Sequence, residues 1–372
     1  MRSETKGEEM RFKRVVVTGA TGHLGNVLVR ELLAGGRQVK VLVLEGEDLR
    51  SLDGLPVEVA VGDVGNPDSL EKAFAGSQVV FHMAGIVAIA PGREESLQRI
   101  NVEGTRNVVE ACLRTQVKRL VYTSSVHALT EPEPGGVLEE SAGFDTAQAY
   151  GDYGRSKAAA SLAVLDGVRG GLDAVLVCPV GVIGPYDFKR SEMGSLFIWY
   201  SRGELKAIID GSYDFVDVRD VARGHILAAE KGRTGEAYIV SGGRVKMPEL
   251  MTMLGKITGR SANVPVIPFA LARLAAHFSP LYARLTGTKA LLTDTAIHTL
   301  TTPFSISDGK AREQLGYTSL AIERSVSDAI DWYREAGYLH RQAPAPSAYA
   351  RLRRWVLILL RERFPLPSRE LT

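Results

Sequence analysis

The sequence predicts an α/β protein built on a doubly wound parallel sheet, followed by a smaller mixed α/β lobe. Three observations lead there. Apolar, β-branched runs alternate with helical segments from Arg14 onward, a glycine-spaced loop joins the first run to the first helix, and the alternation stops after Pro179. At roughly 100–200 residues per domain, 372 residues make two lobes.

Taken in order, Arg14 to Gly19 reads as a buried strand and Leu24 to Ala34 as an amphipathic helix. Val39 to Leu44 and Val57 to Asp63 are the next strands, followed by a helix over Asp68 to Phe74. Gln78 to Met83 is a fourth strand, Glu95 to Arg114 a long helix, and Arg119 to Ser124 a fifth strand. Another helix opens near Gly151, and Asp173 to Val180 makes a sixth strand. Continuous apolar runs mark strands buried on both faces, and right-handed crossovers wind helices over each face. Residues 14–180 form this first, dinucleotide-binding unit. Residues 181–341 form the substrate lobe, where Gly181, Gly184, Pro185 and Gly194 break the rhythm. Helices are expected there over Val218–Lys231, Met247–Thr258 and Ile322–Ala336, with late segments returning to the sheet.

Composition excludes several classes. An apolar fraction of 45% with 24% charged residues is that of a globular chain, and a net charge of +2 argues against nucleic-acid binding. The two cysteines, Cys112 and Cys178, lack metal-ligand spacing and read as reduced core residues, so no metal site and a cytoplasmic setting are expected. Residues 1–13 are a charged extension without the apolar core of a secretory signal, and no run approaches the ~20 residues of a membrane span. Residues 342–372 read as a linker, Gln342 to Ser347, and a basic amphipathic helix in which Trp355 to Leu360 sits between arginines. Two roles suit it: peripheral contact with an anionic membrane surface, or docking on the protein or a second subunit.

Chemistry gathers at three places. In Thr18-Gly19-Ala20-Thr21-Gly22-His23-Leu24-Gly25 the first glycine permits a tight turn, the second lets a pyrophosphate approach the backbone, and the third lets helix and strand pack closely. Such a string arises by chance about 0.4 times in a chain of this composition. Its position at the opening of a strand-loop-helix unit is what gives it weight. Asp63 suits the adenine amino group or, alternatively, the cap of the following helix. Glu45, 20 residues past Gly25, is the candidate for the ribose diol; no arginine stands there for a 2′-phosphate, although Arg50 is near, so NAD is favoured over NADP. Tyr153 and Lys157 are four apart and share a helix face, where the ammonium favours the tyrosinate and the phenol can exchange a proton with a carbinol oxygen. Ser125, at the carboxyl end of the fifth strand, is the catalytic hydroxyl, with Ser124 as a cofactor-side or structural neighbour. His82 and His127 read as packed histidines, Glu139 and Glu140 as loop charges, and Tyr186, Phe188, Met193, Phe197 and Trp199 as substrate-pocket wall, with a plain core role equally open to Phe197 and Trp199.

These elements, with His82-Met83-Ala84-Gly85, Asn101-Val102-Glu103-Gly104-Thr105, Asp63-Val64, Pro179 with Gly184-Pro185, and Phe215 to Ala222, resemble the extended short-chain dehydrogenase/reductase superfamily from about Arg14 to Tyr338. The likeness is greatest to its dihydroflavonol-reductase-like and hydroxysteroid-dehydrogenase-like branch. The resemblance implies a Rossmann-type fold, NAD or NADP as cofactor, and commonly a homodimer. It places Gly19, Gly22, His23, Leu24, Gly25, Asp63 and Val64 against the nucleotide, Ala84 and Gly85 beside the nicotinamide ribose, and Pro179 and Val180 at the carboxamide. Asn101 would brace the catalytic helix, or else cap a helix. Cys178 stands where many relatives carry arginine, and Thr123-Ser124-Ser125 replaces the Thr-Asp-Glu of the dehydratases. The expected activity is hydride transfer between nicotinamide and a secondary alcohol or ketone of a hydrophobic small molecule. The alternatives are a nucleotide-sugar epimerase, although Arg190, Arg202 and Arg223 form no recognisable diphosphate clamp, and a non-catalytic NAD(P) sensor.

Overall fold

Strands without polar alternation need cover on both sides, and the first half of the chain obtains it from its own helices. The computed structural model describes residues 12–87, 92–261, 263–269, 271 and 294–339. The expected C-terminal helix and all but the end of the N-terminal extension lie outside the described residues. The strands are β1 (Arg14–Thr18), β2 (Gln38–Val43), β3 (Glu58–Val61), β4 (Val79–His82), β5 (Arg119–Thr123), β6 (Val137–Leu138) and β7 (Ala174–Pro179). They continue as β8 (Gly181–Ile183), β9 (Ile208–Ile209), β10 (Ser212–Asp217), β11 (Ala237–Val240), β12 (Gly243–Lys246), β13 (Val266–Ile267) and β14 (Ser305–Ile306). One parallel sheet runs in the order β11-β7-β5-β4-β1-β2-β3. Its winding reverses between β1 and β4, so a crevice opens there at the carboxyl ends of the strands.

The helices of this half are α1 (His23–Ala34), α2 (Pro67–Phe74), α3 (Glu94–Leu97), α4 (Gly104–Arg114) and α5 (Gly151–Arg169); α6 (Glu192–Arg202), α7 (Val218–Lys231) and α8 (Met247–Thr258) follow. The helix α1 packs on α7, while α2, α4 and α5 pack in succession on the other face. Val16, Val17, Val80, Phe81, Val121 and Leu176 are completely buried between these layers. At the edge, β3 leaves Val59 48% and Val61 62% exposed and ends at Val61, so Asp63 stands in the turn beyond it.

One element differs from the expectation. The long helix over 95–114 is interrupted, because Gln98–Glu103 widens into a π-type segment between α3 and α4. There a Cβ on Gly104 would come within 2.7 Å of Val64, and the altered winding turns Asn101 inward. As expected of the late segments, strand β11 returns to pair with β7 and completes the sheet.

The second lobe has its own core. Phe197, Phe215, Leu250, Leu254, Val326, Ile330 and Tyr333 fill the space between the sheet β12-β10-β8 and helices α6, α8 and Ile322–Glu335. Both cysteines are buried thiols, as expected. Among the described residues no helix is long and apolar enough to cross a membrane, and no cluster of His, Cys, Asp or Glu could hold a metal ion.

The tightest approach in the fold is between β1 and α1, where a Cβ on Gly25 would lie 2.1 Å from the Gly19 carbonyl oxygen. Gly25→Ala is expected to destabilise the protein by about 2 kcal/mol through overpacking against backbone, measured by urea denaturation. A midpoint equal to that of the wild type would contradict this packing.

Candidate active site

Between β1 and α1, Gly19 adopts φ +68°, and a Cβ there would sit 2.7 Å from the Ala84 amide. Ala84 in turn donates to Thr18 Oγ1 at 3.1 Å, which draws the ends of β1 and β4 together. The Gly22 N–H closes the turn on the Gly19 carbonyl at 3.0 Å. Helix α1 begins with Gly22 as N-cap and no side chain capping it. The leading N–H groups and the positive helix end are thus left for an anion, and the cradle fits the pyrophosphate of a dinucleotide. His23, in contrast, turns its ring to the Pro185 carbonyl at 2.9 Å and ties α1 to the second lobe. Leu24 packs against the core.

Beyond β2 the structure rearranges the expected acidic group. Glu45 lies exposed on the turn after Val43, whereas Glu47 folds back over the phosphate loop. Its carboxylate accepts from the Leu44 N–H at 3.0 Å, from the Thr21 hydroxyl, and from Lys189 at 3.0 Å. These donors hold its pKa below the ordinary value against the opposing effect of burial. Arg50 is committed to Asp48, at 2.6 Å. Asp63 is exposed, and its Oδ1 accepts from Gly65 N–H at 2.8 Å, while Val64 is buried. Asn66, not Asp63, caps α2, so the capping alternative for Asp63 is overturned.

At the end of β5, Ser125 caps a short turn over Val126–Ala128, accepting from His127 N–H at 3.3 Å, and its hydroxyl eases ionisation of the neighbouring Tyr153 phenol against the larger, opposing effect of burial. Tyr153 and Lys157 occupy the first turns of α5. Lys157 is buried, donates to the Thr123 carbonyl at 2.5 Å and lies 4.5 Å from the Tyr122 ring centroid. Burial pushes the Tyr153 phenol up to about 12 and the Lys157 ammonium down to about 7. Ser124 is a structural neighbour, paired with Ser161 at 2.7 Å.

Asn101 braces the helix and caps nothing. Its amide donates to Ser156 Oγ and to the Ile86 carbonyl, both at 3.0 Å, and its oxygen accepts from Ile86 N–H at 2.9 Å. It thereby links α5 to the segment holding Ala84 and Gly85. A Cβ on Gly154 would meet the His127 carbonyl at 2.6 Å, so the helix can seat here only with glycine beside Tyr153.

The second lobe adds Tyr213, whose hydroxyl pairs with His127 Nε2 at 3.0 Å, while the His127 ring stands edge-on to Tyr153. Burial lowers His127 to about 4 and His82 to about 3, so both are neutral at pH 7. His82 is satisfied in the core by Thr18 and Thr105 at 2.8 and 3.1 Å. Behind the site, His225 of α7 pairs with Thr123 Oγ1 at 2.8 Å. Pro179 ends β7, and Val180 donates to Val240 at 3.3 Å. Burial pushes the adjoining Cys178 thiol up to about 12.

Several side chains lie elsewhere than expected. Glu140 is no free loop charge, since it accepts from Ile239 N–H at 2.7 Å. Tyr186 lies under the Arg30 guanidinium and Phe188 packs on Trp332, away from Tyr153, while Phe197 takes the core role that was its alternative. Arg202 donates to the Tyr338 carbonyl and Arg223 pairs with Asp220, so neither stands free for a diphosphate. Sequence reasoning passed over Glu47, Lys189, Tyr213 and His225. Only Glu47, close behind Glu45, carried a local signal; the others meet the site through distant pairings.

A pyrophosphate cradle at the switch point, beside a tyrosine and a buried lysine on one helix, defines a nicotinamide-dinucleotide enzyme. The chain belongs to the NAD-dependent epimerase/dehydratase family, whose model matches residues 15–241, and so to the extended short-chain dehydrogenases/reductases. It is similar to sterol demethylase protein B of Methylococcus capsulatus, with 34% identity over 87% of this chain and 99% of that one. It is also similar to a 4-hydroxy-2-methyl-3-oxo-4-farnesyl-3,4-dihydroquinoline-1-oxide ketoreductase of Stigmatella aurantiaca, at 30% identity over 87% of this chain and 96% of the relative. A nucleoside-diphosphate-sugar epimerase from Pseudomonas aeruginosa superposes with a TM-score of 0.72 at 25% identity, covering 88% of this chain and 99% of that one.

Because Asn101 holds both Ser156 and Ile86, Asn101→Ala is expected to lower turnover about tenfold while the protein remains folded. Steady-state kinetics beside a thermal melt checks this, and unchanged turnover would refute the bracing role.

Proposed function

We propose that the protein is a nicotinamide-dependent ketone reductase or alcohol dehydrogenase acting on a hydrophobic, lipid-like small molecule. The observation that carries this reading is the half-buried Tyr153 phenol, beside Ser125 and on a helix whose Lys157 is anchored to β5. A bound nicotinamide supplies or accepts hydride. Tyr153 gives its proton to the carbonyl oxygen, Ser125 hydrogen-bonds that oxygen as charge develops, and Lys157 stabilises the tyrosinate left behind. With its phenol held up to about 12, Tyr153 is protonated at neutral pH, which suits the direction of reduction. The names of the sterol and farnesyl-quinoline relatives support a lipid-like substrate. An epimerase is disfavoured because Arg202 and Arg223 are held by their own neighbours. The acidic turn after β2 supports NAD over NADP.

Tyr153→Phe is expected to reduce turnover by about 10²–10⁴-fold with dinucleotide affinity retained, read by steady-state kinetics and cofactor fluorescence. Full turnover in this variant would remove Tyr153 from the mechanism. The pH dependence has a definite sign. In the free enzyme Lys157 loses its proton as pH rises through about 7, so kcat/KM for the reduced dinucleotide should fall above that pH. Lys157→Met should abolish the inflection; its persistence would assign it to another group.

A further inference from the structure

Thr123, the last residue of β5, is held from both faces of the sheet. From the α5 face its carbonyl accepts from the Lys157 ammonium at 2.5 Å. From the α7 face its hydroxyl meets His225 Nε2 at 2.8 Å. Along the sheet it pairs with Val177 of β7, whose carbonyl also accepts from the Ser124 N–H at 2.8 Å. Helix α7 packs on both β5 and β7, and His225 is completely buried there.

The direction of each bond in this chain is fixed. His225 Nδ1 lies 2.8 Å from the Val221 carbonyl oxygen, which can only accept, so Nδ1 carries the proton. Burial holds the His225 pKa down at about 4, opposed by the bond to Val221 and assisted by the nearby Lys157 charge, so the ring is neutral at pH 7. A neutral ring protonated at Nδ1 has only a lone pair at Nε2. The Thr123 hydroxyl therefore donates, and the side chain is set in one rotamer. Stability alone does not call for this pair, since two apolar side chains of the same shape would fill the space at little cost. What distinguishes Thr123 is its carbonyl, the one hydrogen-bond acceptor that the Lys157 ammonium meets among the described residues. The titratable groups that border the ammonium are Tyr153 on its own helix, Tyr122 of β5, His82 of β4, Cys178 of β7 and His225. All are uncharged at neutral pH.

We propose that His225 is a positioning residue for Lys157. By accepting from the Thr123 hydroxyl it holds the end of β5 where the carbonyl meets the ammonium, and so it governs the place and the proton affinity of the lysine that serves Tyr153. An imidazole suits this duty. It offers an acceptor deep in the core and, staying neutral, puts no second cation beside Lys157. The consequence for turnover rests on the reading of Tyr153 and Lys157 as the proton-transfer pair; the consequence for Lys157 itself does not.

Steady-state kinetics across pH, beside an NMR titration of the full chain carrying carbon-13 at lysine Cε, tests it. The Lys157 signal is identified by its loss in Lys157→Met. His225→Leu and Thr123→Val each remove one partner of the bond. Each should lower kcat about tenfold through misplacement, with a smaller change in KM. Each should also move the Lys157 titration to lower pH, because the charged form loses a well-placed acceptor. The double variant should be no worse than either single one, as for residues that act as a unit. His225→Gln, whose amide oxygen can take the Nε2 position, should restore most of the turnover. Thr123→Val keeps the side-chain shape and carries the test if His225→Leu does not fold. Variants that melt earlier but keep wild-type kcat and an unshifted Lys157 titration would overturn the proposal, as would additive losses in the double variant. If the wild type reduces no ketone, the reductase reading falls, and the NMR titration still decides the positioning.

Discussion

The bond from the Lys157 ammonium to the Thr123 carbonyl, 2.5 Å long, is the constraint around which the rest of the site is arranged. It fastens α5 to the end of β5 and so sets where Tyr153 stands relative to the crevice between β1 and β4. The cation has no carboxylate partner among the described residues. Its desolvation is met by a backbone oxygen and the face of Tyr122, and its pKa falls to about 7. A buried lysine that costs stability in this way is of use only where its charge acts on a neighbour.

The supports of that bond come from opposite directions. Asn101, turned inward by the π-type segment, grips Ser156 from the α4 side, while His225 of α7 reaches Thr123 from the other face of the sheet. Gly154 removes the side chain that would push α5 off the His127 carbonyl. The second lobe reaches the site through Tyr213, which meets His127, and through the Pro185 carbonyl, which accepts from His23. Both lobes therefore contribute polar groups around the crevice, although each has its own core.

Much of this was legible from local patterns. Valine runs disclosed the strands, glycine spacing disclosed the phosphate loop, and the Tyr153–Lys157 interval disclosed a shared helix face. What escaped depends on long-range pairing. Glu45 lies nearest the expected interval after the loop, but the Leu44–Glu47 turn leaves it outside and folds Glu47 back onto Thr21. Tyr213 meets His127 across 86 residues, and Glu140 finds its partner only when β11 rejoins the sheet. No periodicity announces such contacts. The π-type segment was equally hidden, since the helical pattern runs through it without a break.

The most direct test of the central claim follows the hydride itself. With reduced dinucleotide deuterated at C4 and a lipid-like ketone, the account predicts one deuterium on the carbinol carbon of the product and one equivalent of oxidised dinucleotide released. Product carrying no deuterium, or isomerised substrate with the dinucleotide returned unchanged, would contradict it.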